Sequence, residues 1–192
     1  MKKISKLIVV FVVVLFFNSK IIAMTPTFPN NARFSRGVTN TCYYIENGAY
    51  GYSIDERAKQ WNYNGWDNPI HMTRVSSNYA THIDFYSRNT YGDPEHLLSS
   101  NVSGYTQFFS DTGVKIAEPQ DAPTKNYFFA RIYLNKDLVP VYDDYGTITH
   151  EIGHAFGLAH TSSLESVMYP YDNDRVYDTP QKTDVDAINY LY

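Results

Sequence analysis

Eleven residues near the C-terminal end, from His150 to His160, read His-Glu-Ile-Gly-His-Ala-Phe-Gly-Leu-Ala-His and limit the possible folds more than any other stretch of this chain. Positions four apart on a helix project from one face, so His150 and His154 can offer two imidazole nitrogens to a single ion. Gly157 can take a positive φ and turn the chain out of the helix, which brings His160 round as a third ligand. A continued helix would carry His160 away from that ion. The outcome is a three-histidine site with one position open to water, the arrangement of a catalytic zinc centre. Glu151 is next to a ligand and placed to reach the water instead of the ion, as a general base would be. A chance match at five specified positions in a chain of this length has a probability on the order of 10⁻⁵.

Hydrophobic periodicity around the motif predicts mixed secondary structure. Short strands are expected at Cys42 to Glu46, Ile70 to Ser76, His82 to Ser87 and Tyr105 to Phe109. The clearest strand is Asn126 to Asn135, where Phe128, Ala130, Ile132 and Leu134 alternate with more polar neighbours. Ser53 to Glu56 has the pattern of a capping box, and Ile54, Ala58 and Trp61 follow at helical spacing, predicting a first helix over 53–62. The second helix is expected from about Thr147 and carries the histidines. A third starts at Thr179-Pro180 with Val185, Ile188 and Leu191 as its apolar stripe. Helices and strands in this order make an α+β fold.

With 192 residues and a hydrophobic fraction of 43%, the chain can build one ordinary core. Residues 1–23 read as a separate signal peptide: Lys2, Lys3 and Lys6 precede the unbroken apolar run Leu7 to Phe17, which is too short to span a bilayer. Cleavage after Ala23 would remove those lysines and Lys20 but no acid, taking the formal charge from -4 to -8. Such an acidic product has no electrostatic reason to bind nucleic acid or anionic lipid. Residues 24–40 read as an extended lead-in or very short propeptide, and 41–192 as the catalytic domain. Cys42 is the only cysteine, so no internal disulfide is available and the core and metal must stabilise the fold.

The motif, Thr161 after the third histidine, Ser166-Val167-Met168-Tyr169-Pro170 and the closing helix from Asp184 to Tyr192 together resemble the matrixin family of metzincin zinc peptidases. The resemblance covers roughly Thr41 to Tyr192 and is strongest in the final third. It implies a twisted mixed sheet, two long helices beside the zinc cleft and a C-terminal helix after a Met-turn, with a peptide bound antiparallel to an edge strand. It further implies that Met168 forms an apolar floor beneath the metal, that Asp184 braces the Met-turn, and that Tyr169, Pro170 and Tyr171 line the S1′ wall. The wall departs from the family pattern, because Tyr171 comes three residues after the methionine and not four. A cysteine-switch propeptide is absent, and Met24 to Asn40 has no Cys, His, Asp or Glu able to occupy the zinc.

His82, Asp84 and His96 faintly resemble the family's structural zinc site, and Asp143-Asp144 and Asp172-Asn173-Asp174 are acidic enough to consider Ca2+. The expected activity is a secreted, monomeric zinc endopeptidase acting on protein or peptide, with no nucleic-acid partner and no stable membrane association once the signal is cleaved. The lysine-rich leader and 18 tyrosines fit a bacterial exported protein. The competing reading is a non-catalytic, zinc-stabilised binding module of the same fold, for which Glu151 would have no use.

Overall fold

Among the described residues there are five strands, all where the sequence predicts them to within a few residues: β1 (Thr41–Ile45), β2 (Met72–Val75), β3 (Ile83–Arg88), β4 (Gly104–Phe109) and β5 (Phe129–Asn135). They form one mixed sheet in the order β2-β1-β3-β5-β4. Neighbouring strands are parallel except for β4, which runs antiparallel to β5 with Thr106 opposite Ile132. β4 is therefore an edge strand, and its outer backbone groups face the cleft described below. The computed structural model describes residues 23–48, 50–95, 97–117, 122–139 and 145–192. The expected signal peptide, apart from Ala23, lies outside these residues, as do His96, Asp143 and Asp144. No helix among the described residues is long and apolar enough to cross a membrane.

Among the described residues three α-helices complete the α+β fold: α1 (Gly51–Asn62), α2 (Tyr145–Ala155) and α3 (Lys182–Leu191). α1 starts two residues before the expected capping box, so Ser53 is buried inside its first turn and Tyr50 holds the N-cap position instead. Burial of Ser53, Ile54, Ala58 and Trp61 along one face decides the helix start more strongly than one capping bond. α3 starts three residues later than Thr179. Its capping acceptor is the Asp184 carboxylate, which takes the Gln181 N–H at 2.8 Å.

α1 and α2 pack against each other. The Trp61 indole N–H donates to the Thr149 carbonyl at 3.2 Å, and its ring meets Phe156 edge-on at 5.6 Å. Trp61, Phe85, Ile132, Ile152 and Phe156 lie at the centre of the main core. A second cluster holds Tyr105 and Tyr133 stacked at 4.9 Å on the far side of the sheet.

The lead-in is more integrated than its polar composition suggests. Phe28, Phe34 and Val38 are each less than 5% exposed, and burying such a side chain is worth about 1.5–3 kcal/mol. Its backbone follows the segment after α2, with Phe28 N–H donating to Gly157 O at 2.9 Å and Ala159 N–H to Pro26 O at 2.8 Å. Cys42 is half-buried on the less covered face of β1.

Candidate active site

The residues ending α2 show why the motif folds as it does. Gly157 has φ of 100°, Leu158 N–H donates to Gly153 O at 3.1 Å, and Gly157 N–H donates to His154 O at 2.9 Å. This pair of bonds is the Schellman termination, which satisfies the last helical carbonyls and reverses the chain. A side chain at 157 would be strained by the positive φ and would lie 2.9 Å from the Ala32 carbonyl oxygen. Thus the turn also provides the space through which the lead-in passes.

The reversal brings the third imidazole to the first two. His160 Nε2 lies 3.1 Å from both His150 Nε2 and His154 Nε2. Two carbonyls orient the rings: His150 Nδ1 is 2.8 Å from Val167 O and His154 Nδ1 is 2.8 Å from Leu158 O. A carbonyl can only accept, so each Nδ1 carries the hydrogen and each Nε2 presents a lone pair. Burial is the main cause that depresses the pKa of all three imidazoles, with His154 pushed down to about 3, so the neutral, metal-binding form prevails at pH 7. His160 Nε2 has at most one hydrogen to offer and faces two lone pairs. Three converging nitrogens in this state could share one partner, and a cation would supply it. Tetrahedral zinc with Zn–N bonds of about 2.0–2.1 Å needs ligand nitrogens about 3.3 Å apart, close to the spacing here. The donor set therefore fits zinc. Among the described residues it is the only group of three or more potential metal ligands within reach of one ion.

Glu151 is almost fully buried, and Thr106 of β4 donates its hydroxyl hydrogen to Glu151 Oε2 at 2.6 Å. Burial pushes the carboxyl up to about 7, opposed by the Thr106 hydrogen bond and by the charge of Arg175. Gly104 allows this closeness. A Cβ there would lie 3.0 Å from Thr147 Cγ2 and 3.2 Å from Glu151 Cγ, so β4 approaches α2 only without a side chain at that position.

Met168 lies fully buried against Gly153, where an added Cβ would be only 2.4 Å from its sulfur. The Asp184 carboxylate accepts from the Ser166 hydroxyl, from Val167 N–H at 3.2 Å and from Thr25 Oγ1 at 2.6 Å. It thereby ties the turn that carries Met168 to both α3 and the lead-in. Tyr169 is half-buried, whereas Pro170 and Tyr171 are exposed. Pro170 and Tyr171 line one side of a cleft of about 1160 Å³ that also contains the three histidines and Glu151.

Among the described residues, the other suggested ligands do not converge with further donors on one ion. His82 is buried, and its Nδ1 accepts the Cys42 N–H at 3.1 Å while Phe34 meets its ring edge-on. Asp84 Oδ1 is held by the Thr81 hydroxyl at 2.5 Å. Asp172 is engaged by Arg175 at 2.7 Å and by Thr147 Oγ1 at 2.7 Å. Thr106, Gly104 and Arg175 are the functional neighbours that sequence patterns missed. Each reaches the site across long sequence separations, and no local spacing marks it.

A comparison with curated proteins gives no match. The matrixin family model, however, matches residues 54–192, which take in α1, the whole motif, the Met168 turn and α3. This match covers more than two thirds of the sequence, and on it and the metal-binding geometry the chain belongs to the matrixin family of metallopeptidases.

Proposed function

We propose that the protein is a secreted zinc-dependent endopeptidase in which His150, His154 and His160 hold the ion and Glu151 is the general base. The observation that carries this reading is the convergence of three neutral Nε2 atoms at 3.1 Å spacing beside a buried carboxylate in an open cleft. A zinc ion there supplies Lewis acidity toward water and toward a peptide carbonyl.

The chain's own groups do the rest. The Glu151 carboxylate removes a proton from the attacking water and returns it to the departing amine. Thr106 holds Oε2, so the carboxylate keeps one orientation and its other oxygen remains available. Val167 O and Leu158 O keep two ligand rings from rotating, which limits the reorganisation needed during the reaction. The outer edge of β4 from Gly104 to Gln107, ahead of the point where Ile116 N–H pairs with Phe108 O, can take an extended peptide by strand addition and lay the scissile bond across the histidines. Met168 and Asp184 support the site from below.

The test compares the protein with Glu151→Gln on a mixed peptide library, with and without a zinc chelator. Chelator-sensitive internal cleavage is expected, with a loss of about 10²-fold or more in the variant while zinc content and folding persist. A zinc-loaded, folded protein that cleaves nothing would favour the non-catalytic module.

A further inference from the structure

Arg175 lines the cleft and carries a buried guanidinium nitrogen that the reaction does not engage. Its side chain is 1% exposed although it follows the exposed run 170–174. Nε and Nη2 donate to Tyr169 O at 3.2 and 2.9 Å, and Nη2 also pairs with Asp172 at 2.7 Å. Nη1 is buried and has no hydrogen-bond partner among the described residues. It lies over Gly146, at the start of α2. A Cβ at 146 would be 2.5 Å from Nη1 and 2.8 Å from Asp178 Oδ1, so a donor and an acceptor bracket the space that glycine leaves open. Gly146, Arg175 and Asp178 all line the same cleft as Glu151 and the histidines, on the side of Pro170 and Tyr171.

We propose that Arg175 sets the specificity of this cleft, and that the substrate position following the scissile bond takes a carboxamide side chain, glutamine or asparagine. This rests on the peptidase reading above. An apolar side chain would exclude water and leave the Nη1 hydrogens unpaired. A carboxylate would be the third acid beside one guanidinium, after Asp172 and Asp178, and a lysine has no acceptor to offer the Nη1 hydrogens. A carboxamide oxygen can accept from Nη1 while its NH₂ donates to Asp178, matching both groups without adding charge. Leaving a buried donor unsatisfied should separate good from poor substrates by on the order of tenfold to a hundredfold.

The test uses zinc-loaded protein and four peptides that differ only after the cut, carrying Gln, Glu, Leu or Lys. The Gln peptide should have the highest kcat/KM, by about tenfold over Leu. Arg175→Met and Gly146→Ala, whose methyl group displaces Nη1, should each bring the Gln-to-Leu ratio close to one, a ratio in which any general change of rate from altering the charge near Glu151 cancels. Preference for Leu, Glu or Lys in the unaltered protein overturns the assignment, and so does an unchanged ratio in either folded variant. The wild-type panel decides the matter even if Arg175→Met fails to fold. Absence of any cleavage refutes the peptidase reading itself, and the specificity with it.

Discussion

Replacing Gly153 with alanine should destabilise the protein, against the usual expectation for an interior helical glycine. Ala is favoured over Gly in a helix interior by about 1 kcal/mol. At this position the new Cβ would lie 2.4 Å from Met168 Sδ, 3.4 Å from Met168 Cε and 3.4 Å from Trp61 Cζ2. Methionine is flexible, but Met168 and Trp61 are both fully buried, so neither can move toward solvent. Overpacking of this kind costs about 1–3 kcal/mol, and the closest contact here argues for the upper half of that range. After subtracting the propensity gain, a net loss of about 1–2 kcal/mol remains, or roughly 2–8 °C in Tm for a chain of this size. Urea unfolding at one fixed free zinc concentration measures it, because the bound ion adds to the apparent stability. The double variant with Met168→Ala supplies the control: the alanine at 153 should then fill part of the cavity, and the two changes should couple by about 1 kcal/mol or more. A Gly153→Ala protein more stable than wild type, or two strictly additive changes, would refute the claim that Met168 packs into the missing side chain.

Two further expectations follow from other contacts. Thr106→Val removes the 2.6 Å hydrogen bond to Glu151 while keeping side-chain shape, and bonds to charged groups are worth about 1.5–3 kcal/mol, so kcat/KM should fall at least tenfold with zinc content unchanged; unchanged kinetics would mean that Thr106 does not orient the base. His82 has its pKa lowered to about 4 by burial and, secondarily, by the charge of Arg36. Its neutral form is thus the folded one, so its contribution is present above pH 6.5 and lost as pH falls toward 4, removing about 2–3 kcal/mol by pH 4.5. Urea unfolding at pH 7 and 4.5 should show wild type losing more than His82→Gln by about that amount, and equal losses would rule out His82 as the source.

Much of the site is legible in the primary structure because its chemistry is local. The spacing of His150 and His154 follows from helical geometry alone, and Gly157 announces the turn that returns His160. β3 and β5 are recognisable because a two-residue alternation of apolar side chains, Ile83 with Phe85 and Ala130 with Ile132 and Leu134, needs no tertiary information. Helix starts are less so. Ser53 and Thr179 carry good capping chemistry, yet burial of one helix face and the reach of Asp184 shift both boundaries by two or three residues.

What the sequence by itself determined is the trio of histidines that the fold brings together, the carboxylate we propose as the base and the patterning that makes an α+β fold, all of which depend on residues a few positions apart. Tertiary structure alone decided which partners complete them. Thr106 reaches Glu151 across 45 residues, Asp184 reaches Thr25 across 159, and Arg175 meets Gly146 over the cleft. It also decided that Phe28 and Phe34 of the lead-in belong to the core. The reason is that a hydrogen bond or a buried contact between distant segments depends on how whole layers pack, and layer packing leaves no periodic mark in either segment.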